Sequence, residues 1–255
     1  MTTTRQNGSL YTHIHAKIAT IEFGHPASNS FPIKLLERLQ KELITVGKNP
    51  DVAVIILKSE GKKTFCAGAS FDELIAITNK DEGKLFFNGF ANVINAMRTC
   101  GKLIIGSVQG KAVGGGVGLI AACDYAMATE NASIKLSELT IGIGPFVIEP
   151  IVTRKIGVAA TATLTLDATQ WQNAYWAKEK GLYSRVFETK KALDEEVILF
   201  AEKLASYNKE ALSEMKNVLW YGTENWNELL SERAEISGKL VLSAFTKKAI
   251  EKFKK

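Results

Sequence analysis

Apolar residues in this chain follow two spacings, and the switches between them mark out the elements. Residues 18–23, Ile-Ala-Thr-Ile-Glu-Phe, alternate as a half-covered strand does, and 11–23 as a whole holds one or two strands. Leu35, Leu36, Leu39, Leu43 and Val46 then share one helical face, on a helix that Pro32 can open and Asn49-Pro50 must end. Residues 52–57 are an unbroken, largely β-branched run, which predicts a strand buried on both faces. The same reading predicts strands over 103–108 and 125–129, with shorter ones over 133–136 and 182–186. Helices are predicted over 71–78, 81–98, 147–156, 159–166 and 171–180, the last closed by Gly181. Phe86, Phe90, Val93, Ile94 and Met97 would form the inward face of the second of these. From Leu193 onward the pattern is helical, interrupted near Tyr207-Asn208 and at Gly222. Strands alternating with helices predict an α/β fold with parallel pairing, followed by a helical appendage. No internal sequence repeat is visible.

One junction stands out. The strand over 103–108 runs through Gln109-Gly110 into Ala112-Val113-Gly114-Gly115-Gly116-Val117-Gly118-Leu119, where a helix is predicted to begin. Glycines there allow backbone angles a Cβ forbids and let a ligand approach the main chain. The start of a helix adds unpaired N–H groups and a partial positive charge. Together they suit an anion, or a carbonyl oxygen becoming one. Tight helix–strand packing without a ligand would use the same glycines. The dinucleotide pattern Gly-x-Gly-x-x-Gly is not met, and no Gly-Lys-Ser/Thr follows as in a P-loop. Downstream, Glu138 follows a predicted strand between apolar neighbours, with Ser137 placed to cap its turn. Burial there would raise its pKa toward the range useful for acid–base work. A carboxylate at a helix start is also favoured by the dipole alone.

Composition narrows the classes. The chain has 255 residues, 46% hydrophobic and 23% charged, enough for one large cored domain. A net charge of +5 is spread along the chain, so nucleic-acid binding is not required. Cys66, Cys100 and Cys123 fit neither a zinc pattern nor a disulfide framework, and reduced thiols in a cytoplasmic protein are the simplest expectation. His13, His15 and His25 have no ligand partners in sequence, so no metal site is expected. No run of about 18 apolar residues predicts a membrane span, and 1–10 is polar, without the apolar core of a signal segment. The first ten residues are expected to fray.

Three pieces in order carry a resemblance: Thr64-Phe65-Cys66-Ala67-Gly68-Ala69-Ser70-Phe71-Asp72-Glu73-Leu74, the glycine triplet, and Leu136-Ser137-Glu138-Leu139-Thr140-Ile141-Gly142-Ile143-Gly144-Pro145. Their order and separations resemble the crotonase (enoyl-CoA hydratase/isomerase) superfamily from about Ile14 to the C-terminus. The resemblance implies an α/β spiral of repeated ββα units over 1–195, carrying the active site, and a helical region over 196–255 that assembles homotrimers, often as dimers of trimers. It implies an acyl-CoA thioester as substrate and no separate cofactor, coenzyme A being part of the substrate. The N–H groups of Ala69 and Gly115 would hold the thioester oxygen, with Ala67, Gly68 and Gly114 beside it, and Glu138 would move the proton. The adenine end would lie near Ala27, with Lys62 and Lys63 meeting phosphates. The segment 249–255, including Lys252, could cover a neighbouring subunit's site. Asp72 and Glu73 are read as helix-start acids without a catalytic part.

The chain departs from that pattern twice. Hydratases of the superfamily carry a second glutamate where this chain has Gly118, and a glycine-rich run is replaced here by Phe146-Val147-Ile148-Glu149-Pro150. Two enzyme readings follow. One carboxylate suffices for a double-bond isomerase. The glycine triplet with Gly118, Ser137-Glu138 and the stretch 145–150 instead resemble bacterial methylglutaconyl-CoA hydratases of leucine breakdown, in which Glu138 would manage both water and proton, Glu149 being a candidate helper. That hydratase reading is the leading expectation. A crotonase-like scaffold that only binds is a third. A serine hydrolase is disfavoured, since Gly-x-Ser-x-Gly is absent.

Overall fold

The computed structural model describes residues 7–252. The parts of the N-terminal stretch at 1–6 and of the C-terminal segment at 253–255 lie outside the described residues. The chain opens as an antiparallel hairpin of β1 (Ser9–His15) and β2 (Ile18–Gly24). Ala16 and Lys17 join them, both at positive φ, as a two-residue hairpin turn of matching twist requires. Ser9 and Leu10, expected to fray, are therefore part of β1. Pro32 is the cap of α1 (Ile33–Lys48), whose buried residues are the five read from the helical spacing.

Three consecutive units then repeat one path. β3 (Val54–Ser59) leads to β4 (Thr64–Cys66), α2 (Phe71–Ala76) and α3 (Lys80–Thr99). β5 (Leu103–Val108) leads to β6 (Lys111–Val113) and α4 (Gly115–Ala122). β7 (Tyr125–Thr129) leads to β8 (Ser133–Lys135), a 3-10 turn over Glu138–Ile141, and α5 (Glu149–Leu166). In each unit the first strand joins one sheet and the second strand joins the other. With β9 (Gln172–Asn173), α6 (Ala174–Glu179) and β10 (Arg185–Phe187), the sheets have the orders β1-β2-β3-β5-β7-β10 and β4-β6-β8-β9. The pairs β3–β5 and β5–β7 in the larger sheet, and β4–β6 and β6–β8 in the smaller, are parallel. This is the predicted α/β class, with its ββα repeat expressed in structure and not in residue identity.

The apolar runs alternate between two cores. Ile55 and Leu57 face a core shared with α1, α3, α4 and α5, whereas Val54 and Ile56 face Leu193, Val197 and Ala201. Those three belong to α7 (Lys190–Ala205), which covers the sheet's other face. The boundary expected at residue 195 thus falls inside a helix that completes the core. α8 (Lys209–Leu219), α9 (Trp226–Leu240) and α10 (Ala244–Glu251) follow. α8 is docked by a buried ion pair, Lys216 Nζ to Asp124 Oδ2 at 2.9 Å, with the Trp220 indole N–H donating to Asp124 Oδ1 at 2.7 Å. α9 lies on α3 through glycines: a Cβ on Gly83 would sit 2.8 Å from the Gly238 Cα.

Several expected boundaries move. β6 lies where only a turn was expected, and α4 starts at the glycines themselves. The two helices expected over 147–156 and 159–166 are found within Glu149–Leu166, separated as expected by the non-helical Gly157 at φ 79° and ψ 161°. Only Ala174–Glu179 of the helix expected over 171–180 is helical, because Asn173 caps it by accepting from the Trp176 N–H. The strand expected over 182–186 is Arg185–Phe187. No helix among the described residues is long and apolar enough to cross a membrane.

Candidate active site

Two small-residue loops meet at the rims of β4 and β6. The first follows β4. Its backbone is fixed by the Phe31 N–H donating to the Gly68 carbonyl at 2.8 Å, the Ser70 N–H donating to the Phe31 carbonyl at 2.9 Å, and the Ala67 N–H donating to the Ser28 carbonyl at 3.1 Å. This bridge leaves the Ala69 N–H out. The second loop is the turn from β6 into α4. Gly115 is the first residue of α4, so its N–H has no acceptor within the helix. The loops touch: a Cβ on Gly68 would lie 3.0 Å from the Val113 oxygen and 3.7 Å from the Gly115 nitrogen. Gly68, at φ +89°, and Gly114, at φ 53° and ψ −120°, hold backbone geometries that side chains resist. The Cys66 thiol at the root of the first loop is buried and pushed up to about 12 by loss of solvent, so it stays protonated and inert.

Glu138 completes the group from the third unit. It opens the 3-10 turn after β8, and its Oε1 lies 2.7 Å from where a Gly114 Cβ would stand. Its Oε2 is sealed from solvent and has no hydrogen-bond partner. Loss of hydration raises the Glu138 pKa from 4.5 to about 7. The expected Ser137 side-chain cap is not made. Its carbonyl instead accepts from the Thr140 hydroxyl and N–H, at 2.6 and 3.0 Å.

A cavity of about 170 Å³ opens over these groups. Ala67, Gly68, Ala69, Gly114, Gly115 and Glu138 all line it, so the residues expected to act together do converge. The remaining expected residues lie elsewhere. Gly118 is buried in α4, and a Cβ there would meet the Ile148 Cγ2 at 2.5 Å. Ile148 therefore occupies the space a second carboxylate would need. Glu149 begins α5 outside the cavity lining, its Oε1 accepting from the Thr153 hydroxyl at 2.7 Å. Lys62, Lys63, Ala27 and Lys252 are exposed and outside the lining. The turn holding Ala27 does abut the Lys62–Lys63 loop, because the Asn29 amide donates to the carbonyls of Glu60 and Thr64 on either side of it, at 2.8 and 2.9 Å. Glu73 is structural: its carboxylate accepts from the Ile33 N–H at 2.8 Å and caps α1.

Sequence reasoning missed the cavity's apolar wall. Phe86 and Phe90 were read as core residues, and Ile148 as part of a helix. A periodic apolar face carries the same signal whether it meets another helix or an empty space.

The residues 13–254 match the family described as "Enoyl-CoA hydratase/isomerase". The chain belongs to this family. It is 31% identical over 206 residues, 75% of this chain and 72% of the relative, to "Delta(3,5)-Delta(2,4)-dienoyl-CoA isomerase, peroxisomal" of Arabidopsis thaliana. The crystal structure of an enoyl-CoA hydratase from Bacillus anthracis is 28% identical with a TM-score of 0.78, covering 90% of this chain and 89% of that one. That of an enoyl-CoA hydratase from Bacillus halodurans reaches a TM-score of 0.89 at 21% identity, over 95% and 99% of the chains, and speaks to the fold. Family members work on acyl-CoA thioesters, by hydration or by isomerisation. The similar proteins named here include both kinds.

Proposed function

We propose that this enoyl-CoA hydratase/isomerase family protein adds water reversibly to a 2-enoyl-CoA, with Glu138 as its acid–base group. The observation that carries the reading is that Glu138, whose buried Oε2 has no hydrogen-bond partner, lines the same cavity as Ala69 and Gly115. The thioester oxygen accepts from both N–H groups. Glu138, ionised, takes a proton from water as the water oxygen bonds to the β-carbon. The π electrons move toward the thioester, and the two N–H groups stabilise the enolate oxygen, each donor worth about 3 kcal/mol in comparable sites. Protonated Glu138 then delivers the same proton to the α-carbon. H and OH have been added, and the carboxylate is restored. A pKa near 7 suits a group that must both take and give a proton. No separate cofactor enters, coenzyme A being part of the substrate. A homotrimer or dimer of trimers in the cytoplasm remains our expectation for the assembled protein.

A second reading is favoured by Ile148 filling the Gly118 position, which leaves Glu138 the sole carboxylate lining the cavity among the described residues. One carboxylate can remove a proton from one carbon and return it two carbons away, shifting a double bond. One assay pair separates the readings, run with Glu138→Gln as control. Loss of the conjugated double bond of 2-enoyl-CoAs, 3-methylglutaconyl-CoA among them, supports hydration. Conjugation appearing from a 3-enoyl-CoA, without hydration, supports the isomerase. Neither reaction, with acyl-CoA still protecting the protein thermally, leaves a binding scaffold.

A further inference from the structure

The charge inventory of the cavity identifies the acyl group more narrowly, granted that the site handles acyl-CoA as proposed above. Glu138 is the only ionisable side chain among the described residues that line it, and no lysine, arginine or histidine does so. The wall beyond the glycine loops is Phe86, Phe87, Phe90, Ile143, Phe146 and Ile148. The Phe86 and Phe87 rings meet edge to face at 5.1 Å, and Phe90 packs the same way on Phe31 at 6.0 Å. Phe90 also fills the space over Gly115, leaving no room there for a Cβ. Polar side chains are limited to Glu138, Ser137 and Ser237, and the Ser237 hydroxyl already donates to the Arg233 carbonyl at 3.4 Å.

We infer that the acyl group accepted here is uncharged, apolar and compact, and that acyl chains ending in a carboxylate are excluded. Such a carboxylate would lose its water against phenylalanine rings and gain no cation in return. The two free N–H groups are committed to the thioester oxygen. Ionised Glu138 would repel it, and the repulsion grows in so apolar a setting. Size follows from the volume. An apolar cavity of about 150 Å³ holds a benzene molecule, and the volume of about 170 Å³ here also takes in the space over Ala69, Gly115 and Glu138 where the thioester would sit, so the room left for the acyl chain favours a short one. This specificity runs against 3-methylglutaconyl-CoA, which the sequence resemblance brought forward, and toward its uncharged relatives.

The test uses substrates that differ only in the terminal group: 3-methylcrotonyl-CoA against 3-methylglutaconyl-CoA, with crotonyl-CoA and 2-decenoyl-CoA for length. The expected result is a kcat/KM at least about 100-fold higher for the uncharged member of the first pair, and higher for crotonyl-CoA than for 2-decenoyl-CoA. Equal or faster turnover of 3-methylglutaconyl-CoA overturns the exclusion of charge, and equal rates for the two lengths overturn compactness. If none of the four turns over, the hydration reading fails and binding decides the inference. Butanoyl-CoA binding at least about 100-fold tighter than glutaryl-CoA by calorimetry supports it, and equal affinities overturn it.

Discussion

Replacing Glu138 by glutamine removes one ionisation and little volume, and its effect on stability can be worked out in advance. In the unfolded chain this carboxyl ionises at about 4.5, and in the native protein at about 7. Native protein therefore binds more protons than unfolded protein between those values, and stability falls as pH rises through the window. Below pH 4.5 both states are protonated and nothing is lost. Above pH 7 both are ionised and the full penalty is present, about 3 kcal/mol at 1.36 kcal/mol per decade of acidity. Glutamine carries no such penalty. Its amide faces the same unpaired pocket, but that cost is independent of pH and appears as a constant offset. The assay is urea unfolding of both proteins from pH 5 to 8.5, at one protein concentration because any assembly links stability to concentration. The buried Trp220 and Trp226 report the transition. The variant should gain about 3 kcal/mol on the wild type across this range, or roughly 6–12 °C in Tm. A difference between the proteins that stays constant with pH would refute the reasoning, because it would mean that Glu138 is not desolvated.

The other predictions concern activity and docking. For hydration, wild-type kcat/KM should rise with pH through an apparent pKa near 7, since Glu138 must start ionised; a flat profile from pH 5.5 to 8.5 would exclude it as the base. Gly114→Ala should fold but lose at least about 100-fold in kcat, because its Cβ displaces the carboxylate 2.7 Å away and forces a left-handed φ; circular dichroism checks the fold and steady-state rates the loss. Lys216→Met should cost about 3–5 kcal/mol in urea unfolding, by leaving Asp124 buried without its cation. Asp124 and Lys216 replaced together by apolar residues should recover only part of that loss, because the Ile104 and Trp220 N–H groups then lose their buried acceptor.

Much of the architecture was legible because strands buried on two faces and helices buried on one write different periods into the chain. Leu35 to Val46 and the strand over 103–108 emerged unchanged. β6 and β9 did not: at three and two residues, beside glycines or polar residues, they lie in no apolar run that marks a strand. Asn173 moved a helix start through a side-chain cap, which apolar spacing does not encode.

The same division holds at the site. Residue types marked the glycine triplet and made Glu138 a candidate, and the family resemblance added the loop around Gly68 and the role of each group. Their meeting needed the fold: three ββα units, stacked with their second strands in one small sheet, bring loops more than 20 residues apart in sequence within contact. Only the tertiary structure decided that Gly118 is filled by Ile148, that Glu149 faces Thr153 and not the cavity, and that phenylalanines read as core form a pocket wall. The physical reason is common to all three. A sequence records what a side chain can do and how often apolar positions recur, while burial, and with it the pKa of Glu138, depends on what other segments place around it.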